Sequence, residues 1–183
     1  VVDRADSLAR DEVEKRSPSL TEEQKQEISQ MVGVGAVKYT LLSVDPMRPV
    51  VFTWEKALDF EKNSAPFIQY AHARACNILK RAGEEPVERN YSLLGHPLER
   101  ELVMMIAKFP EAFASAAEDL KPNEVAEYAN LLADKFNSFY AVLPVLKAET
   151  AGLRGARLAL VNAVRIVLRN ALYLLRIGAP ERM

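Results

Sequence analysis

Two long stretches leave this chain little choice of architecture. Across residues 122–143, Val125, Tyr128, Ala129, Leu132, Phe136, Phe139 and Leu143 recur at helical spacing on one face. Across residues 151–176, Leu153, Leu160, Val164, Val167, Ala171 and Leu175 do the same. Such apolar stripes must be covered, and stripes of helical period cover one another in a helical bundle. Tyr140 falls at the edge of the first stripe, where its ring can be half buried and its hydroxyl free.

The remaining helix signals are local. Thr21-Glu22-Glu23-Gln24 spells a capping box and predicts a helix to about Thr40. Gly33 and Gly35 lie inside it. No strand precedes them and no third glycine follows, so they suit close helix packing rather than a phosphate loop. Residues 1–16 mix charges around Val2, Leu8 and Val13, as an exposed amphipathic helix does, and Ser17-Pro18-Ser19 ends it. Asp45-Pro46-Met47-Arg48-Pro49 is turn chemistry, and Val50-Val51-Phe52-Thr53 has the composition of a lone short strand. One or two helical turns are expected over Trp54–Glu61. Pro97 and Pro110 open further helices, the second running to Leu120. The fold class is therefore mainly α: a helical bundle over 65–183, preceded by a helical segment over 1–64 with at most a short β-strand.

Composition narrows the function. With 183 residues, 49% apolar and 27% charged, the chain can bury a core. Its net charge of −1 gives no global nucleic-acid signature, so any such surface must be local. No apolar run has the length of a membrane span. The single Cys76 excludes a disulfide framework and a zinc cluster, and it reads as a small buried hydrophobe. His72 and His96 have no second histidine or glutamate at metal spacing, and His72 reads as a hydrogen-bonded structural residue. Ser64, Ser92 and Ser115 lie in no nucleophile context, and no carboxylate pair stands out, so no catalytic residue and no metal site is expected. Val1-Val2-Asp3-Arg4 lacks an initiator methionine and a signal peptide, which suggests a piece of a longer cytoplasmic chain.

Residues 63–79 carry more than one message. Asn63 or Ser64 can cap a helix, and Pro66 suits its first turn. Ile68, Ala71, Ala75, Ile78 and Leu79 form a core stripe. Phe67, Tyr70, Arg74, Asn77 and Arg81 fall on another face about a quarter turn away. Taken alone, these aromatics suit a core and the arginines suit solvent. The same ridge also suits stacking on bases and pairing with phosphates. Arg154, Arg157, Arg165, Arg169 and Arg176 form a second basic stripe, open to pairing with acids such as Glu118 and Asp119, to solvation, or to phosphate contact.

The longer text of the sequence resembles a known family. Val34-Gly35-Ala36-Val37-Lys38-Tyr39, Phe52-Thr53-Trp54 and the run from Phe60 to Arg74 are similar to the C-terminal half of arginyl-tRNA synthetases. Residues 156–165 and the ending Ala179-Pro180-Glu181-Arg182-Met183 resemble that family's final helix and C-terminal signature. The resemblance implies an anticodon-binding helical bundle over 65–183 named after an Asp-Ala-Leu-Arg pattern, where this chain has Asn162-Ala163-Val164-Arg165, and a helical linking segment over 1–64 that ends the catalytic region and contacts the tRNA stem. It implies anticodon-loop contacts at Phe67, Tyr70, Arg74, Tyr140 and Met183, with Arg81, Arg165 and Arg169 available to phosphates. The implied partners are arginine tRNA and the catalytic region of the same parent, which would ligate arginine to tRNA using ATP and magnesium. Neither ATP-binding signature of that class occurs here, so the fragment alone is expected to be inactive and to need no cofactor. Apolar surface exposed without the catalytic region could drive self-association. A helical protein-interaction module without RNA binding is the alternative, and a small hydrolase with a hidden site is a third reading.

Overall fold

The computed structural model describes residues 1–83 and 88–183. Among the described residues there are eight α-helices and one 3-10 turn. They are α1 (Val2–Arg16), α2 (Glu22–Leu42), α3 (Trp54–Ala57), α4 (Ala65–Ala82), α5 (Pro97–Ala107), α6 (Phe109–Glu118), α7 (Pro122–Val142) and α8 (Ala151–Leu174), with the 3-10 turn at Tyr91–Leu93. The composition of residues 84–95 reads as a loop; residues 84–87 lie outside the described residues.

The capping signals act where the sequence places them. The Thr21 hydroxyl accepts from the Gln24 amide, and the Gln24 side chain accepts from the Thr21 N–H at 3.1 Å. Ser64, rather than Asn63, caps α4 by accepting from the Phe67 N–H at 3.1 Å. Asn63 takes a left-handed backbone (φ 48°) and exchanges two amide hydrogen bonds with Asn130 of α7, at 2.8 and 2.9 Å. Asparagine tolerates that conformation better than most residues. This pair fixes the loop that leads into α4.

α1 and α2 form a hairpin whose small core joins Ala9, Val13, Ile28, Val32 and Phe60. Gly33 permits the approach: a Cβ there would lie 2.7 Å from the Ala5 backbone. A Cβ at Gly35 would lie 3.0 Å from the Gln69 amide nitrogen. Both glycines therefore serve close packing. The main core is larger and is built by α4, α7 and α8, with α5 and α6 closing one side. Phe136, Phe139, Leu132, Ile68 and Leu168 are fully buried in it. Tyr128 donates to the Met105 carbonyl at 2.6 Å, and burial pushes its phenol up to about 12.

Residues 50–53 form no strand. A ladder needs a partner backbone, and no strand occurs among the described residues. Phe52 instead packs edge-on against Trp54 with ring centroids 4.9 Å apart, and Arg4 of α1 covers the Trp54 ring at 5.4 Å. Leu41, Met47 and Val51 stay exposed, Met47 at 92%.

Among the described residues one ion pair has both partners buried. Arg157 of α8 donates from Nε to Glu99 Oε1 at 2.7 Å and from Nη1 to the Pro144 carbonyl at 2.8 Å. Glu99 is 1% exposed and Arg157 7%. The second Glu99 oxygen accepts from the His96 N–H at 2.9 Å, while His96 Nδ1 accepts from the Leu98 N–H, so the pair also caps α5. Arg157 is thus committed to structure, with Glu99 as its acid rather than Glu118 or Asp119.

The segment after α8 turns back over α2 and α4. Lys38 donates to the Arg176 carbonyl at 2.6 Å. Gln69 donates from Nε2 to the Gly178 carbonyl at 2.8 Å and to the Met31 carbonyl at 3.2 Å. His72 donates from Nδ1 to the Pro180 carbonyl at 3.0 Å. His72 is therefore the structural histidine the sequence suggests. Burial pushes its imidazole below the ordinary 6.5; the Pro180 bond opposes this, and Arg165 adds to it.

Arg157→Met strands the Glu99 carboxylate, and a urea titration should show a loss of about 3–5 kcal/mol. Adding Glu99→Gln, which keeps the helix cap without the charge, should recover part of that loss. For His72 the folded chain binds a proton more weakly than the unfolded chain. Its contribution is therefore complete above pH 6.5 and is lost as pH falls below that value. The urea midpoint should drop between about pH 7.5 and about pH 5.5, and His72→Asn should flatten the drop.

Candidate nucleic-acid interface

α4 presents two sides because its apolar stripe covers only part of its circumference. Ile68, Ala71, Ala75 and Ile78 face the main core. Tyr70 and Arg74 lie on the flank beside it, half buried. Tyr140 comes to meet them from the last turn of α7 and is 42% exposed. Met183 arrives from the C-terminal segment and packs against the small α1–α2 core. These four side chains line one open cleft of about 830 Å³.

Arg74 organises the cleft. Its guanidinium lies 4.8 Å from the Tyr70 ring centre and 5.1 Å from that of Tyr140. Its Nη1 donates to Asn137 Oδ1. The rings and the amide hold the planar group in place, leaving its remaining N–H donors for a guest. Around it, Lys80 and Arg182 add positive charge and Glu181 is the single acidic side chain among the lining residues. The cleft is therefore locally cationic in a chain whose net charge is −1.

Phe67 does not join this group. Three residues of helix return about 300°, which sets Phe67 roughly 60° from Tyr70 toward the core stripe. Its ring is 5% exposed and belongs to the main core, so it cannot stack on a base. Arg81 lines an adjoining groove of about 270 Å³ with Lys147, Leu143 and Leu146, which shares Arg74, Asn77 and Tyr140 with the cleft. Arg165 and Arg169 line neither cavity. Arg165 is engaged with Asn162 Oδ1 at 3.0 and 3.1 Å, and Arg169 is exposed.

Sequence reasoning missed one entire wall. Ser17, Ser19, Leu20 and Gln24, from the α1–α2 turn, face α4 across the cleft. Nothing local marks them, since their proximity depends on how the hairpin docks. Asn137 was equally hidden, although it lies one helical turn before Tyr140. Cys76 also lines the cleft, but burial pushes its thiol up, which disfavours a thiolate nucleophile. Among the described residues, no group of three His, Cys, Asp or Glu side chains could hold a metal ion, and no helix is long and apolar enough to cross a membrane.

The chain is similar to arginine–tRNA ligases. It is 48% identical to that of Pyrococcus abyssi, with the whole chain aligned to 30% of the relative, and 48% identical to that of Methanosarcina barkeri, with 99% aligned to 33%. The chain thus spans about a third of the length of these relatives. Among solved structures, Thermus thermophilus arginyl-tRNA synthetase superposes over the full chain and 31% of its own, with a TM-score of 0.93 and 36% identity. The synthetase of Plasmodium falciparum shares the fold at a TM-score of 0.84 and 22% identity, over the full chain and 33% of its own. The family model described as the DALR anticodon binding domain matches residues 68–183, and the chain belongs to that family.

Proposed function

We propose that this chain is the tRNA-recognition part of an arginyl-tRNA synthetase, and that the cleft at Tyr70, Arg74, Tyr140 and Met183 receives bases of the anticodon loop. The observation that carries this reading is the Arg74 guanidinium held over two partly accessible tyrosine rings in a locally cationic cleft. An unpaired base can be splayed out, stacked on a tyrosine and read along its edge by Arg74, Asn77 or the polar residues of the opposite wall. Arg81 and Lys147 stand where the adjoining groove could follow the ribose-phosphate chain. Arg165 and Arg169 are weaker candidates for phosphate contact, and Phe67 is assigned to packing.

We infer a functional division near residue 64, beside the start of the family match at residue 68. The first part would join the bundle to a catalytic region, and exposed Leu41, Met47 and Val51 support a covering surface there. In the intact parent, a cytoplasmic ligase, ATP and magnesium would serve arginine activation in that catalytic region. No residue of this chain is given a step in that chemistry.

Binding of arginine tRNA at two salt concentrations, with the native anticodon and with one base substituted, tests the proposal. The wild-type chain should prefer the native anticodon. Tyr70→Ala should weaken binding by about 1–3 kcal/mol and reduce the preference. Arg74→Ala should also lower the salt slope by about one. Indifference to the anticodon in wild type and variants alike, with co-purification of an acidic protein, would favour a protein-interaction module instead.

A further inference from the structure

The C-terminal segment has no helix of its own beyond Leu174, yet its path over the bundle is defined. It is held by side chains acting on its carbonyls. Lys38 takes Arg176, Gln69 takes Gly178, and His72 takes Pro180. Gln69 and His72 are 0% and 1% exposed, and neither lines the cleft. They lie one helical turn apart on α4, next to Tyr70 and Arg74. The same helix therefore carries the cleft's own side chains and the anchors of the segment that brings Met183.

We propose that Gln69 and His72 are positioning residues for the RNA-binding cleft: by fixing the carbonyls of Gly178 and Pro180 they set the register of the C-terminal segment and hold Met183 in the cleft wall. This rests on the RNA-binding reading above. Two fixed carbonyls two residues apart define both the place and the direction of an extended segment, which one anchor cannot do. Met183 lies three residues beyond Pro180 and can stray at most about 10 Å from it. Without the His72 anchor the last fixed carbonyl is that of Gly178, five residues away, and the reach grows to about 17 Å. The volume open to Met183 then grows roughly fivefold, and its local concentration at the cleft falls in proportion. A stranded Pro180 carbonyl adds to the loss.

The test uses the 183-residue chain with labelled methionine methyl groups and an anticodon stem–loop of arginine tRNA as the probe. Five methionines give a methyl spectrum simple enough to assign. In His72→Ala the Met183 methyl should move to the position of a free chain while those of Met104 and Met105 stay, and His72→Asn, which retains an N–H donor, should restore it. Discrimination between native and base-substituted stem–loops should fall roughly five- to tenfold in His72→Ala. Removal of Met183 should match this, and combining the two should be no worse than removing Met183 alone. Inserting one glycine between Pro180 and Glu181 leaves each anchor in place but shifts the register, so it should give the same loss even if His72→Ala folds poorly. An unmoved Met183 methyl in a folded His72→Ala chain, additive losses, or full discrimination after the glycine insertion overturns the proposal. If discrimination is present but insensitive to Met183, the positioning idea falls while the RNA reading stands. If the wild-type chain shows no preference, the RNA reading falls and takes the proposal with it.

Discussion

A buried primary amide ties three parts of this molecule together. Gln69 of α4 donates to a carbonyl of α2 and to one of the C-terminal segment, and Gly35 leaves the space it needs. Its Oε1 has no partner among the described residues, and the amide cannot be turned over without losing both donations. Burying such a group is unfavourable unless its donors are used. Here the arrangement converts that constraint into geometry, because both N–H donors are used only when α2, α4 and the C-terminal segment sit together. The cleft lies beside this junction, and its residues come from the same elements together with the α1–α2 turn and α7.

The buried Glu99–Arg157 pair follows a similar logic in the bundle. Arg157 and Glu99 reach from α8 to α5 and satisfy each other, a helix cap and the Pro144 carbonyl. A buried pair of this kind is weak evidence for stability but specifies one arrangement over others. The stripe on α8 is not uniformly a binding ridge: Arg157 is interior, Arg154 donates to the Ala82 carbonyl, Arg165 bonds a neighbouring amide, Arg169 is exposed, and Arg176 lies beyond the helix. Charge along a helix says little about a ligand until the partners of each residue are known.

What could be read from sequence was what depends on neighbours in sequence. The Thr21–Gln24 box, the Pro-led helix starts and the stripes of α7 and α8 are short-range signals, and they gave the helices and most of the core. That Tyr70 and Arg74 share a flank of α4 was legible for the same reason. Phe67 misled because it stands at the margin between two stripes, where helical spacing alone does not decide which neighbour it meets. Residues 50–53 misled because β-propensity describes a surface that needs a partner strand. The wall at Ser17, Ser19 and Gln24 was invisible because only the docking of the α1–α2 hairpin brings it to α4. Met183 was reached through family resemblance, since a residue at a chain end carries no periodic signal.

The stapled C-terminal segment also bears on how the molecule assembles. Its anchors join residues 108, 109 and 138 positions apart in the chain. Contacts so distant along the chain carry a loop-closure entropy that helices do not, and they gain from closure only once the intervening elements are in place. α4, α7 and α8 can therefore form and pack while the cleft still lacks its Met183 wall. Closing the cleft therefore depends on contacts that span more than a hundred residues of chain, and helix content alone does not report whether it has closed.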